Sequence, residues 1–354
     1  MHEIKIGSIK ISPNQKPYII AEMSANHNGS IDTAKKIIAA AKASGADAIK
    51  LQTYTPDTIT LNSDLSDFQI KGTLWDGLTL YELYQKAYTP WEWHKPLFDY
   101  AREIGITIFS SPFDFSAVDL LESLDAPAYK IASFEVIDLP LIRRVAQTGK
   151  PIIISTGMAN FEEIQEAIDT AKTAGCRDLI ILHCVSGYPA PPSDYNLRTL
   201  SDMIERFGTL VGLSDHTLDN TTAIASIALG ACVIEKHFTL DRNGGGPDDS
   251  FSLEPTDLQA LCRDSTIAWE ALGRIEYGLK SSEKGNIQFR RSLYFVKDMQ
   301  AGDIIDPTCI RSVRPGYGLA PKYWDNLIGK KVKYQIKANT PTKWELIEST
   351  PKSM

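Results

Sequence analysis

Short apolar runs recur eight times along the first 240 positions of the chain, reading YIIAE (18–22), AIKLQ (48–52), TIFSS (107–111), YKIAS (129–133), IIIST (152–156), LIILHC (179–184), LVGLS (210–214) and VIEKHF (233–238). Between most of them lies an amphipathic stretch bounded by Gly or Asp. Strand and helix therefore alternate, which predicts a parallel α/β sheet. Eight strands close most simply into a (β/α)8 TIM barrel. In that architecture the chemistry sits where strands end and loops begin, and nearly every run here ends on a residue that can do chemistry.

The helical pattern supports the alternation. Residues 31–44 place Ile31, Ala34, Ile37, Ile38 and Ala41 at helical spacing, and Gly45 stops the run. Asn160 and Glu163 form a capping-box pair that opens FEEIQEAIDTAKTAG, ended by Gly175. Pro140 fits the first turn of a short helix running to Thr148. The rhythm breaks once, between the second and third runs, where residues 54–106 are too long for a simple crossover. Leu80, Leu83, Tyr84 and Ala87 predict one helix there, and a second starts near Pro90. The insert also holds Trp75, Tyr81, Tyr88, Trp91 and Trp93, either packing an extra helix onto the barrel or walling its pocket.

From Gly273 the chain turns polar and aperiodic, as a linker would, and beyond it SLYFVKD and KKVKYQI read as β-prone runs. Two domains are expected: a barrel over residues 1–284, including the linker from about 273, and a small β-rich module over 285–354. A length of 354 residues suits one barrel plus a remainder. The net charge of −7 argues against nucleic acid as a partner, without bearing on a local anion site. Five cysteines show no CxxC spacing, and Cys184 and Cys232 lie in apolar segments as reduced, buried thiols would. MHEIKIGSIK lacks an apolar signal core, and the longest apolar stretch, Ala223 to Ile234, is too short to span a bilayer. A cytoplasmic protein with no membrane partner is expected.

His216 and His237, in LSDHT and IEKHF, lie one βα unit apart, so neighbouring strands would aim both imidazoles into one pocket. Two histidines there can hold a divalent cation, or one can order a loop while the other packs the mouth. Two protein ligands leave room for water and substrate, which suits exchangeable Mn²⁺ or Mg²⁺ acting as a Lewis acid. Lys50, Lys130 and Lys236 occupy similar places on three strands. With Ser111, Ser133, Ser155 and Ser214 they describe a rim that could bind phosphate or carboxylate, although lysines at such positions can also snorkel outward. Glu22, Glu135, Asp215 and Asp248 add acid and base groups to the same rim.

AEMSANHNG (21–29), KLQTYTP (50–56), YKIASFE (129–135), STGM (155–158), GLSDHT (212–217), EKHF (235–238), GPD (246–248) and RPGYG (314–318) together resemble the sialic acid synthase family, over almost the whole chain. The terminal module resembles that family's antifreeze-like (SAF) domain. The resemblance implies a condensation of phosphoenolpyruvate with the open-chain aldehyde of an acetamido sugar, giving a nine-carbon 2-keto sugar acid and phosphate. It assigns Lys50, Ser111, Lys130, Ser133, Ser155 and Ser214 to phosphoenolpyruvate and His216 and His237 to the metal. Glu22 and Gln52 fall near metal and sugar, and Glu135 and Asp248 against the sugar. Lys130, Glu135 and Asp215 are the residues expected to act in the reaction, with Glu135 moving a proton. Arg314 matches an arginine that reaches the neighbouring subunit's barrel, which implies a domain-exchanged homodimer.

Residues 72–94, with SANHNG and SVRPGYGL, resemble the pseudaminic acid branch more than the N-acetylneuraminate branch. Ser186 points the same way, standing before Tyr188 where N-acetylneuraminate enzymes carry asparagine. A 6-deoxy, doubly acetamido sugar would suit an aromatic wall. The alternatives are a sister synthase for legionaminic or N-acetylneuraminic acid, a pyruvate aldolase with a Schiff-base lysine, and, from another class, a non-catalytic sugar-binding protein.

Overall fold

The computed structural model describes residues 3–348. The chain forms two units, Met1–Gly273 and Arg274–Met354. The first begins with a hairpin of β1 (Ile4–Ile6) and β2 (Ile9–Ile11). Eight parallel strands follow: β3 (Tyr18–Glu22), β4 (Ala48–Thr53), β5 (Thr107–Pro112), β6 (Tyr129–Ile131), β7 (Ile152–Ser155), β8 (Leu179–Cys184), β9 (Leu210–Asp215) and β10 (Val233–His237). They pair in chain order, and β10 closes the barrel on β3. Each expected run is a strand, with bounds shifted by two residues at most.

The period of two assigns each strand residue to the barrel interior or to the helical layer. Ile19, Ile49, Ile154, Leu213 and Ile234 face the helices and join their core. Tyr18, Ile20, Ala48, Phe109, Ile153, Leu182 and Val233 fill the interior at its N-terminal end. The hairpin closes that end, with Ile4, Ile6 and Ile11 in the same apolar cluster. The alternation IKI-GS-IKI carries this hairpin in the sequence. Gly7 takes the positive φ of 60° its turn requires.

The insert between β4 and β5 contains helices Leu80–Ala87 and Trp91–Ile104. Thr79 and Glu82 close a capping box on the first. Two fully buried histidines fasten this region to the barrel: His94 Nε2 bonds Thr53 Oγ1 at 2.8 Å, and His27 Nε2 bonds Thr89 Oγ1 at 3.2 Å. Burial pushes both imidazoles down to about 4.

The second unit pairs β11 (Ser292–Phe295) antiparallel to β12 (Ile310–Val313) over its own small core. The KKVKYQI run does not form a regular strand. Val332 and Ile336 make only isolated bridges, to Ile347 and Met299, because short connections keep redirecting the chain.

Candidate active site

Every strand of the barrel delivers its last residues to the C-terminal mouth, and the mouth is where buried polarity concentrates. Lys50 on β4 and Lys130 on β6 are 3% and 2% exposed, and two carboxylates meet them there. Lys50 Nζ lies 2.6 Å from Glu22 Oε2 and 3.7 Å from Glu235 Oε1, and Lys130 Nζ lies 3.4 Å from the same Glu235 oxygen. Lys50 also donates to Ser111 Oγ at 3.2 Å, and Gln52 Nε2 donates to Glu22 Oε1 at 3.1 Å.

Burial opposes every charge in this quartet, so the ionic states depend on the partners. Burial pushes Glu22 up to about 7 despite Lys50. Glu235 is also opposed by burial, but Lys130 and Lys50 outweigh that and hold it below its ordinary range. Burial lowers Lys130, while Glu22 and Glu235 overcome burial and raise Lys50.

Above this layer, two residues further along β4 and β10, Gln52 and His237 line a cavity of about 580 Å³. Ser133, Glu135, Tyr188 and Asp248 face the same space, together with Tyr54, Tyr84, Phe113 and Trp75. Ser133 Oγ bonds Ser186 Oγ at 2.8 Å, so the position flagged in the sequence by its departure from asparagine touches an expected substrate ligand. Gly157 makes this contact possible, since a Cβ there would lie 2.5 Å from Ser133 Cβ and 2.8 Å from Ser186 Oγ. Burial pushes Glu135 up to about 7.

His216 and His237 lie side by side, ring centroids 5.3 Å apart, under Tyr188. His216 Nδ1 faces the Val185 carbonyl at 2.7 Å, so Nδ1 carries a hydrogen; burial opposes the charged ring, but Cys184 and Val185 outweigh it and raise this imidazole above its ordinary range. The backbone N–H of His216 donates to Tyr195 Oη at 2.7 Å, fixing the residue from behind. His237 Nδ1 is buried without a hydrogen-bond partner, 3.9 Å from Asp248 Oδ2, and burial keeps the ring neutral. Ser24 Oγ donates to Asp248 Oδ2 at 2.5 Å.

Two expected rim residues go elsewhere. Asp215 and Lys236 occupy the strand face turned to the helices, where Lys236 Nζ donates to Asp215 Oδ2 and to the carbonyls of Thr217 and Asp219, each at 2.8 Å. Lys236 is therefore neither a snorkelling nor a cavity lysine; it ties down the loop following His216. Asp215 also accepts from Thr217 N, which makes it a loop anchor rather than a proton donor in the cavity. Arg314 is exposed just past β12 in the second unit. Ser155 and Ser214 are buried at their strand ends.

Glu235 escaped the sequence reading, although it shares a strand face with His237 by the period of two. Cys184 is buried as expected, and it is also a hydrogen-bonding partner of His216. Glu135 Oε2, Ser155 Oγ, Glu235 Oε2 and His237 Nδ1 are all buried, with no hydrogen-bond partner among the described residues. Orphans concentrated at one barrel mouth mark a place shaped for a ligand.

A closed parallel barrel with paired lysines, convergent carboxylates and an imidazole pair at its C-terminal mouth is the architecture of a barrel enzyme for anionic substrates. The chain belongs to the NeuB family, whose model matches residues 37–277, and residues 290–348 match the SAF domain. It is 46% identical to a pseudaminic acid synthase of Helicobacter pylori, over 94% of this chain and 98% of that protein. Identity is 38% with an N,N'-diacetyllegionaminic acid synthase of Campylobacter jejuni, over 89% and 96% of the two chains. Among solved structures, N-acetylneuraminic acid synthetase from Leptospira borgpetersenii in complex with citrate superposes with a TM-score of 0.72 at 29% identity, covering 82% of this chain and 96% of that one.

Proposed function

We infer that this protein is a pseudaminic acid synthase, a transferase that condenses phosphoenolpyruvate with 2,4-diacetamido-2,4,6-trideoxy-L-altrose to give pseudaminic acid and phosphate. The observation that carries the reading is the set of partnerless buried groups beside Lys50 and Lys130, opening onto a 580 Å³ cavity. The choice of sugar follows the 46% identical pseudaminic acid synthase named above and the aromatic lining by Tyr54, Tyr84 and Phe113, which suits a deoxygenated carbon and acetamido methyls.

Phosphoenolpyruvate enters with its phosphate and carboxylate toward Lys50, Lys130, Ser111, Ser133, Ser155 and Ser214, exchanging carboxylate contacts within the quartet for its own. The sugar aldehyde lies above it, beside Gln52, Glu135, Tyr188 and Asp248. C3 of the enol attacks the aldehyde carbon, forming the new C–C bond and leaving oxocarbenium character at C2. The aldehyde oxygen takes up one proton. Water adds to C2 and gives up one proton, and the C–O bond to phosphate then breaks as the 2-keto group forms, the remaining C2 hydroxyl proton leaving with the phosphate. Glu135, raised to about 7, can hold or release a proton at neutral pH and is suited to this exchange. The lysines and serines contribute positioning and fixed charge throughout.

His216 and His237 would hold a divalent cation, Mn²⁺ or Mg²⁺. The fit rests on the partnerless Nδ1 of His237 and on the Val185 carbonyl holding Nδ1 of His216, so that Nε2, now beside Cys184, is the nitrogen that would turn to the ion. Such an ion, when bound, supplies Lewis-acid polarisation of the aldehyde oxygen. No cluster of three or more His, Cys, Asp or Glu side chains poised for a metal occurs among the described residues, so water and substrate would complete the shell. A second copy of the chain is the proposed partner, bringing its Arg314 to this mouth. Phe134, Ile137 and Met158, 51%, 63% and 77% exposed on the βα loops around the rim, supply apolar surface for it. No helix among the described residues is long and apolar enough to cross a membrane.

Incubation with phosphoenolpyruvate and a panel of acetamido sugars, followed by phosphate release and product mass, tests the reaction. The diacetamido trideoxy-altrose is expected to be the preferred acceptor; phosphate release with N-acetylmannosamine alone would overturn the sugar assignment. His216→Ala and His237→Ala are expected to abolish turnover in folded protein, and activity that persists under strong chelation would remove the metal.

A further inference from the structure

The insert between β4 and β5 carries an irregular hairpin over residues 69–79. Gln69 bridges Thr79, and Ile70 N donates to Leu78 O at 2.9 Å. Gly72 N donates to Asp76 Oδ1 at 2.9 Å, and Gly72 and Gly77 adopt positive φ. Most of this hairpin is exposed; Leu74 is 55% accessible. Trp75, at its tip, is half-buried because it turns inward. Its indole lies 6.0 Å from the Tyr188 ring, and Nε1 donates to the Pro247 carbonyl at 3.0 Å. Pro247 directly precedes Asp248, and Tyr188 packs at a tilt against His216, ring centroids 4.5 Å apart. One side chain of the insert therefore touches both the aromatic cover of the histidine pair and the loop that presents Asp248.

A second cavity, of about 540 Å³, lies on the other side of this contact. Leu74, Trp75, Leu83 and Pro247 line both spaces. They form a partition, in which the indole is the largest group.

We propose that Trp75 is a specificity-determining residue that sets the size limit of the sugar site, resting on the function proposed above. The indole closes the reaction cavity against the empty volume behind it, so an acetamido methyl fits under the ring and a longer acyl chain does not. Its hydrogen bond to Pro247 has a separate role, holding the neighbouring Asp248 in place against the sugar. These two roles predict different behaviour for two substitutions. Trp75→Ala merges the cavities and loses the latch. Trp75→Phe keeps an aromatic wall and loses only the donor.

The experiment is steady-state phosphate release with phosphoenolpyruvate and acceptor sugars carrying N-acetyl or N-butanoyl groups, with thermal unfolding of each variant. Trp75→Ala is expected to raise the ratio of kcat/KM for butanoyl over acetyl acceptor by about tenfold or more, the scale at which a pocket discriminates methylene groups. The KM for phosphoenolpyruvate is expected to stay within about twofold, since Trp75 touches none of the lysines or serines of the cradle. Trp75→Phe is expected to keep the wild-type acyl ratio while the acceptor KM rises about five- to tenfold, the loss of one hydrogen bond. An acyl ratio unchanged in Trp75→Ala overturns the inference, whether or not kcat falls. A rise in KM for both substrates with a lowered unfolding midpoint in both variants also overturns it, by showing a purely structural role. A wild-type enzyme that releases no phosphate with any acetamido sugar overturns the proposed function itself. Wild-type turnover with an unaltered variant ratio removes this inference alone.

Discussion

The two ends of the barrel interior are built from the same strands and buried to the same degree, yet they do opposite work. Near the N-terminal end the interior holds Ile20, Ala48, Phe109, Ala128, Ile153 and Val233. Two residues further along the same strands it holds Glu22, Lys50, Ser111, Lys130, Ser155 and Glu235, all 5% exposed or less. The first set contributes about 1.5–3 kcal/mol for each large side chain removed from water. The second costs desolvation energy and persists because its charges neutralise one another. One step of the pleat separates the part of the molecule that stabilises the barrel from the part that can bind an anion.

That contrast predicts separable losses, and the largest belongs to the mouth. Lys130→Met is expected to lower turnover by about a thousandfold, the scale of removing a fixed electrostatic group from a reacting centre. Its unfolding midpoint should move by only a few degrees. Glu235 keeps Lys50 at 3.7 Å, and methionine fills the volume of the lysine stem. Phosphate release and a thermal melt on the same sample check both halves. Phe109→Ala, at the apolar end, reverses the pattern. It is expected to cost about 3–5 kcal/mol by denaturant unfolding, as deletion of a buried aromatic does. Turnover well below the midpoint should remain within about threefold of wild type, because Phe109 lies two residues short of the Ser111 layer. A Lys130→Met protein less stable than Phe109→Ala would erase the distinction between the ends.

The same contrast explains what the sequence disclosed. Eight strands were legible because each is buried on both faces and so reads as a continuous apolar run, with Gly45 or the Asn160 and Glu163 pair marking the helix limits. That continuity also hid which face each residue takes. Lys236 and Glu235 are adjacent in the chain and both buried, but Lys236 turns to the helices and Asp215 while Glu235 enters the cradle. Counting in twos back from His237 would have separated them. The His27 and His94 attachments were not legible, because their partners Thr89 and Thr53 are brought to them only by the fold. Trp75 was visible as part of an aromatic insert, and only its Pro247 contact distinguishes wall from packing.

The smallest effect concerns pH, and it sets the mouth against its flank. His27 and His94 have folded values near 4 against an ordinary 6.5, so as pH falls from about 6.5 to 4 the unfolded chain takes up protons that the fold refuses. Their contribution falls with acid, by at most about 3 kcal/mol for each. Glu22 and Glu135 act in the opposite sense. Their folded values near 7 against 4.5 mean that the unfolded chain ionises first as pH rises, so they favour the fold at low pH and lose that contribution between about 4.5 and 7. The opposed terms overlap, so the contributions of these four groups largely cancel from pH 4.5 to 6.5. Glu135→Gln removes one of the terms that favour the fold in acid, so this variant should become more stable by about 2–3 kcal/mol, relative to wild type, on going from pH 4.5 to 6.5. His94→Gln should shift the slope the other way by a similar amount. Denaturant unfolding across that window measures both slopes. If the two variants tilted in the same direction, buried carboxyls at the mouth and buried imidazoles on its flank could not be the opposing groups.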